Sequence, residues 1–253
     1  MKTATLQKQQ IKPSYNKVKN LLSKGNTNAK TAKNEIETFI LYLAPSDIIG
    51  THNLCPFASE GCRKACLYSA GRGAFSNVQQ SRINKTKFWA YNRKAFYIQL
   101  ANEILAIHSK ATDILSGEFH QVAIRLNGTS DVDHLGLLFR YTGINFLSSE
   151  YSNLLFYDYT KSIKQIEKYK GTSYKLTFSL SETNQADAIQ VLLDGGNIAA
   201  VFSGELPQSY KGFKVIDGDK TDLRYFDPEN VIIGLKAKGQ AKRDNSGFVI
   251  TKY

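Results

Sequence analysis

The chain has 253 residues, 42% of them hydrophobic, and a formal net charge of +11 at pH 7. That length buries a full core without disulfides and fits one large α/β domain or two small ones. No apolar run approaches the roughly 20 residues that span a bilayer, and the opening Met1-Lys-Thr-Ala-Thr-Leu-Gln-Lys8 lacks the apolar stretch of a secretory signal, so no membrane partner is expected and a reducing cytoplasm is the expected compartment.

Residues 1–34 carry eight lysines and no acid, with few large apolar residues. They read as a basic, mobile or loosely docked arm, and residues 35–253 as a single domain. Glu35-Ile-Glu-Thr-Phe-Ile-Leu-Tyr-Leu-Ala44 is β-rich and stops at Pro45, which predicts a first strand. Residues 76–110 read as a long helical region: Val78, Ile83, Phe88, Phe96, Leu100 and Ile104 form a drifting apolar stripe with a break between Phe88 and Asn92. Strand-like runs then recur at 119–126, 153–157, 174–179, 197–202, 214–216 and 230–235, with amphipathic segments at 132–142, 160–168 and 184–194. The last two connections look like loops. This alternation predicts an α/β fold with a mostly parallel sheet, a partial or distorted (β/α) barrel.

All three cysteines, Cys55, Cys62 and Cys66, fall in one twelve-residue window directly after the first predicted strand. Their C-x6-C-x3-C spacing offers three soft sulfur ligands, enough for a three-cysteine [4Fe–4S] cluster with one open iron. Zinc is the alternative, with His52 as a fourth ligand. Gly71-Arg-Gly73 follows and offers backbone N–H donors to an anion or serves only a turn.

Nearly every predicted strand ends in ionisable residues. The second leads into Asn127-Gly-Thr-Ser-Asp131, the third into Asp158-Tyr-Thr-Lys161, the fourth reaches Glu182, the fifth Glu205 and the sixth Asp217-Gly-Asp219. In a parallel sheet these exits share one face, where sites are built. Asn127 and Asp131 suit an amine or a ribose hydroxyl; Asp131, Asp133 and His134 suit a divalent metal; Ser130 or Asp131 equally suits a helix cap. Any two of Glu182, Glu205, Asp217, Asp219 and Asp222 can form an acid–base pair if they are close. Tyr157, Tyr159, Tyr225 and Phe226 flank exits and can stack on a base, although aromatics at such spacing more often belong to a core. Lys236, Lys238, Lys242 and Arg243 form a late basic loop. From Cys62 to Leu100 eight basic residues and no acid occur, so a nucleic acid or other polyanion is a candidate partner for this stretch and for the arm.

Leu54-Cys-Pro-Phe-Ala-Ser-Glu-Gly-Cys-Arg-Lys-Ala-Cys-Leu67, Gly71-Arg-Gly73, Val78-Gln-Gln-Ser-Arg82, the Asn127–Asp131 turn and Gly234-Leu-Lys-Ala-Lys-Gly239 resemble the phage "gene product eighty-eight" domain over about residues 36–250. The resemblance implies a phage or mobile-element origin and a host cytoplasm. A strand, a three-cysteine loop, a helix and further βα units are also similar to the radical S-adenosylmethionine superfamily. That likeness implies Cys55, Cys62 and Cys66 as cluster ligands and Asn127, Gly128 and Asp131 beside the amine of S-adenosylmethionine; Glu182 and Glu205, taken from the later strand exits, complete the candidate cofactor-binding set. The spacing differs from that superfamily's usual C-x3-C-x2-C, and Ala65 stands where an aromatic residue is usual. The leading expectation is a radical-SAM-like iron–sulfur enzyme; the alternative is a non-enzymatic zinc- or cluster-stapled nucleic-acid-binding protein.

Overall fold

The computed structural model describes residues 18–25, 36–113 and 118–252. Its strands, in chain order, are β1 (Leu22–Lys24), β2 (Thr38–Leu41), β3 (Thr112–Asp113), β4 (Glu118–Phe119), β5 (Val122–Arg125), β6 (Leu154–Thr160), β7 (Lys175–Ser179), β8 (Asn197–Phe202), β9 (Ser209–Tyr210), β10 (Phe213–Asp217), β11 (Ile232–Lys236) and β12 (Val249–Ile250). The helices are α1 (Glu60–Lys64), α2 (Ser76–Tyr91), α3 (Arg93–Ala111), α4 (His134–Thr142), α5 (Ile163–Tyr169) and α6 (Gln185–Leu193).

The chain is mixed α/β, built on a ten-stranded, mostly parallel sheet of order β1-β2-β5-β6-β7-β8-β11-β10-β9. The strands from β2 to β10 in that order run parallel, and β1 and β9 add antiparallel edges. β12 pairs with Val201 and Phe202, beyond the stretch of β8 that β7 covers. Among the described residues the edges β1 and β9 do not pair with each other. β3 and β4 form a separate two-stranded ladder.

Alternation along the strands explains the layers. Leu41, Ile124 and Phe156 point to the face that α2, α3 and α4 cover through Phe88, Tyr97, Leu100, Ile104 and Leu138. Phe178, Ile198, Phe202 and Ile232 continue that face under α6, through Ala188, Val191 and Leu192. The opposite face carries Ala123, Leu155 and Tyr157, and it is covered by Leu223 and Tyr225 of the β10–β11 connection. Residues with both faces covered produce the near-continuous burial of β6.

The break predicted near Phe88 to Asn92 falls at Asn92, whose φ of −141° and ψ of 61° stop α2 before α3 begins. The cap of α4 is Asp133, which accepts from Gly136 N–H; neither Ser130 nor Asp131 takes that role. Gly143, at φ +74°, ends the same helix in the left-handed region open to glycine. Both late connections lack an α-helix, as the sequence suggested.

Of the span read as a basic arm, residues 1–17 and 26–34 lie outside the described residues. Residues 18–25 are docked. Leu21 is fully buried, the Glu103 carboxylate accepts from the N–H groups of Leu21 and Leu22 at 2.8 Å, and Lys85 Nζ donates to Leu21 O at 2.7 Å. Among the described residues no helix is long and apolar enough to cross a membrane.

Candidate functional site around the three cysteines

The cysteine loop leaves the C-terminal end of β2 and is fastened at three points. Fully buried Leu54 anchors it; its N–H donates to Ser46 O at 2.9 Å, and its carbonyl accepts from Asp131 N–H at 2.8 Å. The loop is thereby clipped to the exit of β5. Cys55 Sγ sits 3.8 Å from Thr129 O on that exit.

The second fastening is α1. Five residues cannot sustain a helix alone, and the sequence supplies the missing support. Ser59 caps α1 by accepting from Cys62 N–H at 3.2 Å. Glu182, at the exit of β7, accepts from Ser59 Oγ and Gly61 N–H, both at 2.8 Å. Gly61 has to be small here, because a Cβ would meet Phe248 Cβ at 2.6 Å and Glu182 Oε1 at 2.9 Å. The third fastening is apolar: Ala65 packs with Ala237, Ala241 and Val249. Cys62 and Cys66 thus sit between β7 and the C-terminal segment.

The three cysteines are free and half-buried. Burial pushes Cys55 up to about 12, with Asp131 and the other two cysteines adding to the rise. Burial also raises Cys62, opposed by the Lys161 ammonium, and raises Cys66, opposed by a Tyr68 backbone hydrogen bond and by the Arg82 guanidinium. The sulfurs therefore lie within electrostatic reach of one another. Among the described residues no group of three or more His, Cys, Asp or Glu side chains is placed to hold a metal ion.

Two cations flank the triplet. Arg82 reaches it from α2, its guanidinium 4.8 Å from the Tyr42 ring centre and 5.5 Å from that of Tyr68. Lys161 reaches it from the exit of β6, its Nζ donating to Ser179 O at 3.2 Å and lying 5.6 Å from the Phe248 ring. Ser59, Arg82 and Lys161 are the site residues that the sequence did not single out for this role. Ser59 had a readable signal, a cap residue directly before an acidic first turn.

The predicted residues part company. Asp131 faces the cysteines; it accepts from Thr160 Oγ1 at 2.7 Å and Lys161 N–H at 2.8 Å, and burial raises its carboxyl. Glu182 joins it through α1. Asn127 is 3% exposed and its side chain is spent on its own turn, with Ser130 Oγ, Val132 N–H and Val132 O as partners. Gly128 is where Tyr42 and Ile40 approach, at 2.6 and 2.7 Å from a Cβ position. Glu205 lies apart, pairing with Lys236 at 3.1 Å on an exposed edge.

Asp133 and His134 do not converge with Asp131. Asp133 caps α4 and pairs with Lys168. His134 is fully buried against Tyr97 OH, 3.0 Å away, and its burial lowers it to about 3. Asp222 pairs with Arg125 at 2.8 Å and Asp219 with Lys238 at 2.7 Å, while Asp217 Oδ1 accepts from Asp219 N–H at 2.8 Å. Tyr157 is fully buried, and Tyr159 lies under Arg125 with the guanidinium 4.7 Å from its ring centre, so both are occupied within the protein.

No curated protein and no solved structure matches the chain. The family model described as Gene product 88 matches residues 20–252. That match spans nearly the whole sequence, including the cysteine loop, the Asn127–Asp131 turn and the segment that packs on α1, and the chain belongs to the Gene product 88 family, the phage gene-product family that its cysteine block resembles.

Proposed function

We propose that Cys55, Cys62 and Cys66 hold a [4Fe–4S] cluster through three thiolates, and that the chain is a radical-SAM-like enzyme working in a reducing cytoplasm. One observation carries the reading. Three free thiols gather at the C-terminal ends of parallel strands, close enough to feel one another's charge. A structural zinc takes four protein ligands. A [4Fe–4S] cluster accepts three cysteines with one iron left open. His52, the candidate fourth zinc ligand, instead bonds Thr51 Oγ1 and meets the Trp89 ring edge-on.

The donor set fits such a cluster. When bound, it supplies one-electron chemistry and an open iron position, the place for S-adenosylmethionine in this reading. The chain's own residues hold and screen the site. Glu182 fixes α1, Asp131 fixes the backbone of Lys161, and Arg82 and Lys161 offset the negative charge of three thiolates. Asn127 and Gly128 shape the β5 exit. Glu205 has no place in this set.

The sequential order of β2, β5, β6, β7 and β8, with helices on one face, supports a partial barrel. So does the Arg125–Asp222 pair, which joins β5 to a connection leaving the far side of the sheet. In this reading the single domain is the one expected over residues 35–253, joined by the docked segment 18–25, whose β1 is an edge of the same sheet.

Protein purified without oxygen is expected to carry about four irons and four sulfides per chain, and Cys62→Ser to lose them. A colourless protein with one tightly held zinc would refute the cluster. With the cluster present, an unchanged electron paramagnetic resonance spectrum on adding S-adenosylmethionine would remove the radical-SAM part.

A further inference from the structure

The outer side of α2 plays no part in the cysteine site, and it lines a groove. The groove has a volume of about 800 Å³ and lies between α2 and the docked β1 segment. Asn77, Gln80 and Asn84 form one wall, and Lys19 and Lys24 stand on the other. Among the described residues no carboxylate lines it, although Lys24 also pairs with Glu37 at 2.6 Å. The first acid after Glu60 in the sequence is Glu103. At the end nearest the cysteine loop, Phe75 projects with 60% of its surface exposed, and Arg72 beside it is exposed as well. Phe75 is the N-cap position of α2 and makes no side-chain cap bond; its carbonyl accepts from the N–H groups of Val78 and Gln79, and Val78 N–H also donates to Asn77 Oδ1 at 2.9 Å.

We propose that this groove binds single-stranded nucleic acid, with a base stacked on Phe75 and the backbone running past Arg72 and along α2 between Asn77 and Asn84. This goes beyond the cluster reading and does not depend on it. Three physical features favour this ligand. The cations Lys19, Lys24 and Arg72 suit a run of phosphates. Gln80 Nε2 donates to Asn84 Oδ1 at 3.0 Å, and this amide pair presents its remaining carbonyl and amide groups to base edges. A flat exposed ring at the entrance stacks only on a base that is not already stacked in a duplex, which selects a single strand. From Asn77 to Asn84 the helix advances about 10 Å, enough for a few nucleotides. The net charge of +11 favours encounter with any polyanion, so the ring and the amides carry the discrimination. A strand lying there would run toward the segment that follows Cys66.

The test is fluorescence anisotropy of labelled dT12 with the full chain at several salt concentrations. Binding is expected to weaken with salt. Phe75→Ala should lower affinity about tenfold. Arg72→Gln should reduce the slope of log affinity against log salt by about 0.7, the value for one phosphate contact to a single strand. Gln80→Glu with Asn84→Asp should also weaken binding. Phe75, Arg72 and Gln80 are exposed and Asn84 is half-exposed, so the variants should keep the wild-type circular dichroism and melting curve. Unchanged affinity in all of them would place binding elsewhere and overturn the proposal. So would poly-L-glutamate competing as well as dT12, or a duplex binding more tightly than the single strand.

Discussion

Glu182→Ala tests how the cysteine loop is held. The carboxylate accepts two hydrogen bonds from α1 and its cap, each 2.8 Å long. Bonds to a charged acceptor contribute about 1.5–3 kcal/mol each. Two of them would give about 3–6 kcal/mol, and because Glu182 is only half-buried we reduce this to about 2–4 kcal/mol. The loss should be local, since α1 has five residues and its remaining support is the Ser59 cap and the packing of Ala65. The assay is hydrogen exchange by mass spectrometry on the peptide covering residues 59–66. Local opening should become about 30- to 1000-fold more frequent, at one factor of ten per 1.4 kcal/mol. Glu182→Gln keeps one acceptor and loses the charge, so it should give about half the effect in kcal/mol. Exchange of this peptide equal to wild type in Glu182→Ala would refute the argument that β7 holds the cysteine helix.

Gly128→Ala should destabilise by about 1–3 kcal/mol through overpacking, because its Cβ would meet the Tyr42 ring at 2.6 Å and Ile40 Cγ2 at 2.7 Å; a melting temperature equal to wild type would mean that the turn yields. Arg125→Met should cost about 3–5 kcal/mol, since it strands the buried Asp222 beside Asp158, and adding Asp222→Asn should recover part of it in a double-mutant cycle. Asp158 is fully buried, and its burial raises it to about 7. Its folded value lies above its unfolded one, so the protonated form is favoured in the fold, and its contribution to stability falls as pH rises from about 4 to about 7. Urea titrations should therefore show the wild type losing stability relative to Asp158→Asn across that window, and a difference that stays constant or grows in the wild type's favour would contradict it.

Much of the fold was legible because it follows from periodicity. The β8 run 197–202 matches its predicted limits, and the two-helix region 76–110 breaks within the predicted window at Asn92. The alternation of strands with apolar-striped segments pointed to a parallel sheet, and the sheet is mostly parallel. The short pieces were not legible. β1, β9 and β12 have two or three residues each; no pattern can establish itself over that length, and they are strands only because a longer neighbour offers an open edge. β12 exists because β8 extends past β7.

The sequence by itself determined that three thiols lie on one loop after the first parallel strand, and that polar residues follow most strand exits. Chain neighbours set both facts. Only the tertiary structure decided which of those residues face the cysteines. Asp131, Lys161 and Glu182 leave three different strands, yet they meet at one loop. Glu205 leaves the next strand and ends at an exposed edge with Lys236. Asn127 is four residues from Asp131 and spends its side chain on its own turn. Residue type and spacing are the same kind of evidence for all five. What separates them is the direction each side chain takes from its strand end and which hydrogen-bond partners reach it first, and long-range packing sets both.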